Sequence, residues 1–246
     1  MRYLVLSDIH SNLQALEAVA AAAAGRYEQA LCCGDLVGYG AEPNPVVDWI
    51  RTHCATVIRG NHDHAWTAEE DLGWFNPVAR HAALWTGQAL TPENAAYVTA
   101  LPNGPVLVED FHLIHGTPYD EDEYMMSAED AAIAFEYMQT RVAFFGHTHV
   151  QGGFVWNHGR VETISPLLQE RFPAVMTLDP DCGYLINPGS VGQPRDGDPR
   201  AAYLIYDTAA QAVEYCRVGY DVVMAQRRIR EANLPPILAD RLSEGR

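Results

Sequence analysis

The chain has no lysine: its 16 basic residues are all arginine, set against 32 Asp and Glu. Walker-type phosphate binding, Schiff-base catalysis and kinase chemistry all need a lysine ammonium, so none of them operates here in its usual form. The net charge of −16 argues against a broad nucleic-acid surface, which needs a basic patch. It also opposes anionic substrates unless positive charge sits inside the site, and bound metal ions would supply it. The five cysteines, Cys32, Cys33, Cys54, Cys182 and Cys216, form no Cys-x-x-Cys pair. That excludes a zinc ribbon and a thioredoxin-type site, and fits reduced thiols used for packing. No run of about eighteen apolar residues occurs, so no spanning helix or membrane partner is expected. The opening apolar run is too short for a signal-peptide core and ends at Asp8, so a cytoplasmic location is the expectation.

With 48% hydrophobic residues over 246 positions, the chain can bury a large core. No internal repeat or low-complexity linker divides it, so it reads as one domain over residues 1–246. Residues 2–7, Gln29 to Cys33 and 55–58 read as strands, the last one buried. Between them lie an Ala-rich helix opened by a capping box at Ser11 to Gln14 and a short helix capped at Asn44-Pro45. This β-α-β-α-β order implies a largely parallel sheet. Residues 66–101 read as a helical insertion, with Asn76-Pro77 and Thr91-Pro92 as helix starts. Val106 to Glu109 and Phe111 to Ile114 form a hairpin, Tyr119 to Tyr124 an acidic loop, and Ser127 caps a further helix. Arg141 to Phe145 is a strand. Beyond residue 150 come Gly153 to Trp156, Arg160 to Ile164, Gly183 to Ile186, Ala201 to Tyr206 and Ala212 to Val218, then a C-terminal helical segment over 221–246. The first half would supply a sheet with helices and the second a β-layer closing it.

Five clusters follow strand-like runs: Asp8-Ile9-His10, Gly34-Asp35, Gly60-Asn61-His62-Asp63, His115-Gly116 and Gly146-His147-Thr148-His149. Each brings Asp, Asn or His to a strand end, where open α/β sheets bind ligands. Any one of them alone reads as loop chemistry, a satisfied histidine or a surface pair. Their succession is the signal, since independent turns would not keep supplying ligand types. Mixed nitrogen and oxygen donors suit divalent Mn, Fe, Ni or Zn. Seven candidate ligands are too many for one tetrahedral ion and enough for two that share a carboxylate, the clamp used in phosphoester hydrolysis.

These motifs, with Gly40 five residues after Asp35 and with Asn187-Pro188-Gly189-Ser190, resemble the calcineurin-like metallophosphoesterases, in particular their small bacterial phosphodiesterase branch. The resemblance spans Asp8 to Ser190 and implies an α/β/β/α sandwich with two central mixed sheets. It implies one metal on Asp8, His10, Asp35 and His149, and a second on Asp35, Asn61, His115 and His147, with Asp35 bridging. His62 matches the family's catalytic histidine. By this resemblance two divalent ions, manganese foremost, would activate a hydroxide, and His62 would assist at the leaving or phosphoryl oxygen. The expected substrate is a small phosphodiester or nucleotide; the alternative is a phosphomonoester. Asp63 either orients His62 or caps the turn, and turn structure is the favoured reading.

One departure stands out. The Ser/Thr phosphatases and symmetrical dinucleoside tetraphosphatases of the superfamily carry Asp-Arg where this chain has Gly38-Tyr39, so both those substrate assignments lose their phosphate clamp. Arg59, Arg195 and Arg200 are the candidate phosphate contacts; the alternatives are a strand-edge carboxylate as partner for Arg59 and surface Arg/Asp pairing for the two loop arginines. Trp66, Trp74, Phe75, Trp85, Tyr119 and Tyr124 are either lid aromatics or packing for the inserted helices. Competing readings are a non-catalytic metal-binding module, a protein-binding adaptor, and a one-metal oxygenase. The oxygenase leaves at least three ligands unexplained.

Overall fold

Alternate side chains of the first strand, β1 (Arg2–Leu6), enter two different cores: Leu4 and Leu6 one, Tyr3 and Val5 the other. A strand points successive residues to opposite faces, so β1 lies in a sheet covered on both sides. A computed structural model describes residues 1–67, 71–73, 75–166 and 172–246 and carries this pattern through two six-stranded mixed sheets.

Helix α1 (Leu13–Ala23) follows β1, then come β2 (Gln29–Cys32), α2 (Pro43–His53), β3 (Cys54–Val57) and the one-turn helix α3 (Asn61–Ala65). A 3-10 turn at Asp71–Gly73, then α4 (Pro77–Ala89) and α5 (Pro92–Thr99), make up the described part of the insertion. Next are β4 (Val106–Val108), β5 (Phe111–Leu113), α6 (Ala128–Glu136), β6 (Val142–Phe144), β7 (Gly152–Asn157), β8 (Arg160–Ile164), β9 (Ala174–Thr177) and β10 (Gly183–Asn187). The chain ends with β11 (Ala201–Asp207), β12 (Ala212–Val218), α7 (Val222–Glu231), α8 (Pro236–Asp240) and a 3-10 turn at Arg241–Ser243.

One sheet runs β3-β2-β1-β11-β12-β9 and the other β4-β5-β6-β10-β7-β8. Tyr3, Val5, Leu31 and Cys33 meet Phe111, Phe144, Tyr184 and Ile186 between the sheets. Leu4, Leu6 and Cys32 pack outward on Leu16, Val19, Val46 and Ile50 of α1 and α2. Ala143, Phe145 and Leu185 pack outward on Ala131 and Ala134 of α6. This is the four-layer α/β/β/α arrangement.

The two halves of the chain do not form separate layers as expected. β1 pairs antiparallel with β11, so the last long strands complete the first sheet and the middle of the chain builds the second. Three local readings also change. The cap of α1 is Asn12, whose side chain accepts from Ala15 N at 3.1 Å; Ser11 lies outside the helix with φ 54°. Helix α2 begins at Pro43, and Asn44 instead anchors the insertion, accepting from Thr91 N and donating to Ala89 O, both at 2.8 Å. β3 is an edge strand with only Val57 buried, not the buried strand its apolar residues suggest. β9 has no counterpart in the sequence reading. Four cysteines are buried, Cys54 is half-buried, and all five are free.

For the site, one consequence matters. β1, β2 and β3 run parallel, as do β5 and β6, so their carboxyl ends gather the five motif loops at one edge.

Candidate metal centre

The parallel ladders continue past the strand ends. Asp8 N donates to Gly34 O and His10 N to Asp35 O, both at 3.0 Å, and Gly146 N donates to His115 O at 2.8 Å. Their continuation aligns the motif loops. Asp8, His10, Asp35, His147 and His149 all have φ between 48° and 64°, the left-handed region that non-glycine residues enter at a cost of order 1 kcal/mol each. A side chain at Gly60 would collide with the Asp35 carboxylate, and its Cβ would lie 2.6 Å from His115 Cε1. Glycine there lets α3 start against the bridging carboxylate.

Each of four converging imidazoles gives one ring nitrogen to a main-chain carbonyl. His10 Nδ1 meets Val37 O at 2.9 Å, His115 Nδ1 meets Cys33 O at 2.8 Å, His149 Nδ1 meets Gln193 O at 2.6 Å, and His147 Nε2 meets Asp122 O at 3.0 Å. A carbonyl only accepts, so that nitrogen carries the hydrogen and the other is left as a donor of its lone pair. The free nitrogens face one another and the carboxylates. His10 Nε2 and His149 Nε2 are 3.1 Å apart. Asp35 Oδ2 lies 3.4 Å from His10 Nε2 and 3.5 Å from His115 Nε2, and Asp8 Oδ1 lies 3.4 Å from His149 Nε2. Asn61 Oδ1 is 3.2 Å from His115 Nε2. Donor atoms at about 2.0–2.2 Å from one ion stand roughly 3–3.5 Å from each other, so this spacing is that of a coordination shell. Among the described residues, buried Asp8 Oδ2 and Asp35 Oδ2 accept no well-formed hydrogen bond, a cost that a cation removes. The donors fall into two buried groups, Asp8/His10/Asp35/His149 and Asp35/His115/His147, with Asp35 in both. They are consistent with a dinuclear metal site.

Electrostatics point the same way. Burial pushes the Asp8 carboxyl above its usual range. At His115 burial works downward, but the Asp35 carboxylate outweighs it and holds the imidazole at about 10. Burial lowers His10 and His149 well below the ordinary value and His147 to about 3. The cluster therefore draws in positive charge, as protons on Asp8 and His115 or as metal ions competing for the same lone pairs.

His62 differs from the four imidazoles above. No main-chain carbonyl holds its ring, its Nδ1 is buried without a partner among the described residues, and burial lowers it to about 4. Only its main-chain N–H engages the cluster, donating to Asp35 Oδ1 at 2.8 Å. The ring packs on Tyr39 and Phe75, with centroids at 4.3 and 4.8 Å, and lines a cavity of about 570 Å³. Asn61, His147, Tyr124, Glu121 and Asp122 line the same cavity. Asp63 accepts from Gly60, Leu36 and Val37 N–H, so it ties the turn to the Asp35 loop.

Of the arginine candidates, Arg59 forms a two-pronged pair with Glu121 at 2.6 and 3.0 Å. Arg195 lies against Tyr39, which also contacts His10 at 4.6 Å between centroids. Phe75 and Tyr124 line the cavity, whereas Trp66 and Trp85 pack against the inserted helices and Tyr119 packs at a tilt on Tyr137. Trp74 lies outside the described residues.

Sequence reasoning missed Gln193, Gln151 and the wider role of Asn187 and Ser190. Asn187 Nδ2 donates to Gly146 O at 2.9 Å, and Ser190 Oγ donates to Asp8 O at 2.7 Å, so this turn clamps two motif loops. Gln151 Nε2 donates to the carbonyls of Pro188, Tyr203 and Cys216, holding the segment after His149. Nothing local in the sequence marks such long-range contacts.

Residues 1–211 match the model of the calcineurin-like phosphoesterase superfamily domain. An uncharacterised protein of Methanocaldococcus jannaschii, MJ0912, is 36% identical over 258 aligned positions, covering 98% of this chain and 97% of that protein. The crystal structure of a metallophosphoesterase from Sphaerobacter thermophilus is 39% identical, covers 100% of this chain and 99% of its own, and superposes with a TM-score of 0.87. Hypothetical protein PH1004 from Pyrococcus horikoshii OT3 shares the fold at 17% identity, with a TM-score of 0.78 over 100% of this chain and 98% of its own.

Proposed function

The chain belongs to the calcineurin-like phosphoesterase superfamily as a metal-dependent phosphoesterase, and from that premise we propose that it is a phosphodiesterase acting on a small diester with one aromatic arm. The observation that carries the reading is the pairing of a buried, converging donor set with a cavity partly lined by aromatic rings beside it. Asp8, His10, Asp35 and His149 would hold one ion and Asp35, Asn61, His115 and His147 the other, manganese foremost. Bound there, the ions would supply an activated water at neutral pH and neutralise charge on the phosphoryl oxygens.

The chain's own residues supply the rest. Tyr39, Phe75 and Tyr124 line the cavity; Tyr39 is buried against His10 and His62 and one face of Tyr124 stacks on His147, so Phe75 and the outer face of Tyr124 would meet an aryl or nucleobase group. Glu121, neutralised by Arg59, and Asp122 line it too; the Asp122 carboxylate, without an ion pair among the described residues, disfavours a doubly charged monoester more than a singly charged diester. His62, free of carbonyl partners, would give a hydrogen bond or a proton at the phosphoryl or leaving oxygen. Asp63 holds the loop that sets Asp35 against the His62 main chain. The pairing of β11 with β1, and of β12 with β11, supports reading residues 1–246 as one domain.

The test is hydrolysis of bis-p-nitrophenyl phosphate against p-nitrophenyl phosphate, with added Mn²⁺ and after chelation. Metal-dependent turnover favouring the diester is expected. Preference for the monoester would transfer the assignment to a phosphatase, and turnover that survives chelation would remove the metal reading.

A further inference from the structure

Two arginines beside this site pair with no carboxylate among the described residues. Arg195 follows Gln193, whose main chain holds His149, and Arg195 N itself donates to His149 O at 3.2 Å. Arg195 Nη2 reaches the hydroxyl of Tyr39 at 3.3 Å and Gln193 Oε1 at 3.1 Å. Its Nε is buried and unpartnered among the described residues. Arg241, in the C-terminal 3-10 turn, donates to the same Gln193 Oε1 at 3.2 Å. Neither arginine forms an ion pair with a described residue. Nine other arginines do, among them Arg59, Arg200 and Arg217, while Arg2, Arg80, Arg141 and Arg160 also have no ion pair among the described residues. What sets Arg195 and Arg241 apart is their convergence on one neutral oxygen beside the metal centre.

Two half-buried guanidinium groups here share one neutral oxygen, Gln193 Oε1, in place of a carboxylate. Like charges held this close repel, and the Gln193 carbonyl offsets only part of that. Burial and then the Arg195 charge both press Arg241 downward from its usual value. An anion lying between the two forks would satisfy both, including the idle Arg195 Nε. The pair is next to the metal centre, because the Tyr39 ring lies under Arg195 and touches both His10 and His62. Arg195 meets the cavity only from behind its wall, through the hydroxyls of Tyr39 and Tyr124, so the pair would serve a different arm of the ligand. Arg241 also lies beyond residues 1–211, the span matching the superfamily model, so this feature is added by the C-terminal segment.

We propose that Arg195 and Arg241 form an anion subsite beside the metal centre that holds a second, non-reacting phosphate group of the substrate. The substrate class is then a phosphodiester with an aromatic arm in the cavity and a phosphorylated arm at the arginines. This rests on the phosphodiesterase reading for its substrate but not for the subsite itself.

The experiment compares wild type, Arg241→Gln and Arg241→Lys on two esters: bis-p-nitrophenyl phosphate, and a p-nitrophenyl ester of a nucleoside bisphosphate that carries the extra phosphate. The readout is the ratio of the two kcat/KM values, from which any loss of folded protein cancels. Arg241→Gln should lower that ratio about ten- to hundredfold, the range for losing a charge-assisted hydrogen bond, with Arg241→Lys between the two. A second readout needs no turnover: calorimetric binding of inorganic pyrophosphate relative to phosphate should weaken at least tenfold in Arg241→Gln. If neither ester is hydrolysed by wild type while the pyrophosphate preference still depends on Arg241, the diesterase reading fails and the subsite stands. A ratio within twofold of wild type, or a pyrophosphate preference unchanged in Arg241→Gln, overturns the subsite.

Discussion

At the residue scale, the division between Asn61 and His62 defines the chemistry. Asn61 Oδ1 stands 3.2 Å from His115 Nε2, inside the donor cluster, whereas the adjacent His62 ring turns to the cavity with no carbonyl to fix it. Two substitutions separate these roles. Asp35→Asn removes charge from the one carboxylate common to both donor groups, so metal content and activity should fall together; inductively coupled plasma measurement of bound metal beside turnover checks this. A variant that lost activity while keeping two ions per chain would refute the bridging role. His62→Ala should leave metal content unchanged and lower kcat about 10²–10⁴-fold, most for esters with poor leaving groups. Equal loss across leaving groups would take the proton role from His62. The types of these residues were legible because metal donors after strands are rare and recognisable. The carbonyl partners that set each imidazole's tautomer were not, since Val37, Cys33, Asp122 and Gln193 contribute only main-chain oxygens, which any residue could supply.

At the scale of elements, α3 and its Asp63 link two strands. One carboxylate accepts Gly60 N at 3.0 Å and Leu36 and Val37 N at 2.9 and 3.1 Å, joining the starts of two motif loops. Asp63→Ala would leave these buried donors unpaired, and a loss of about 3 kcal/mol is expected from penalties of roughly 1–3 kcal/mol per group. Urea unfolding at unchanged m-value measures it; a loss under about 1 kcal/mol would mean water replaces the carboxylate. Element types followed from the sequence where amphipathic spacing and caps agreed, as at Ser127 with Asp130 opening α6. They failed where burial is one-sided. β9 exposes Val175 at 63%, so Ala174–Thr177 has too little apolar signal to stand out. Likewise Ser11 and Asn12 are both good caps by type, and only the backbone conformation at Ser11 decides between them.

At the scale of the whole molecule, the strand order explains why the site needs nearly the full chain. The adjacency of β1 to β11 joins residues about 200 apart, and nothing in either strand's composition encodes that partner. What was legible was the need for two covered sheets; which strands share a sheet depends on pairing that local pattern does not specify. The same architecture makes the metal a stabilising ligand, because its donors come from both sheets. At 100 times Kd a single site adds about 2.7 kcal/mol, which for a chain of this size raises Tm by roughly 5–10 °C. Manganese should produce such a rise in wild type and not in Asp35→Asn, by differential scanning calorimetry. The sign of its pH dependence follows from Asp8, whose carboxyl burial raises above the ordinary 3.8. In chelated protein a raised carboxyl contributes stability while protonated, below its unfolded value, and loses it as pH climbs above about 4. A metal ion takes the place of that proton, so the manganese increment should grow from pH 5 to pH 7. An increment that shrinks over that interval would place the bound ion away from Asp8.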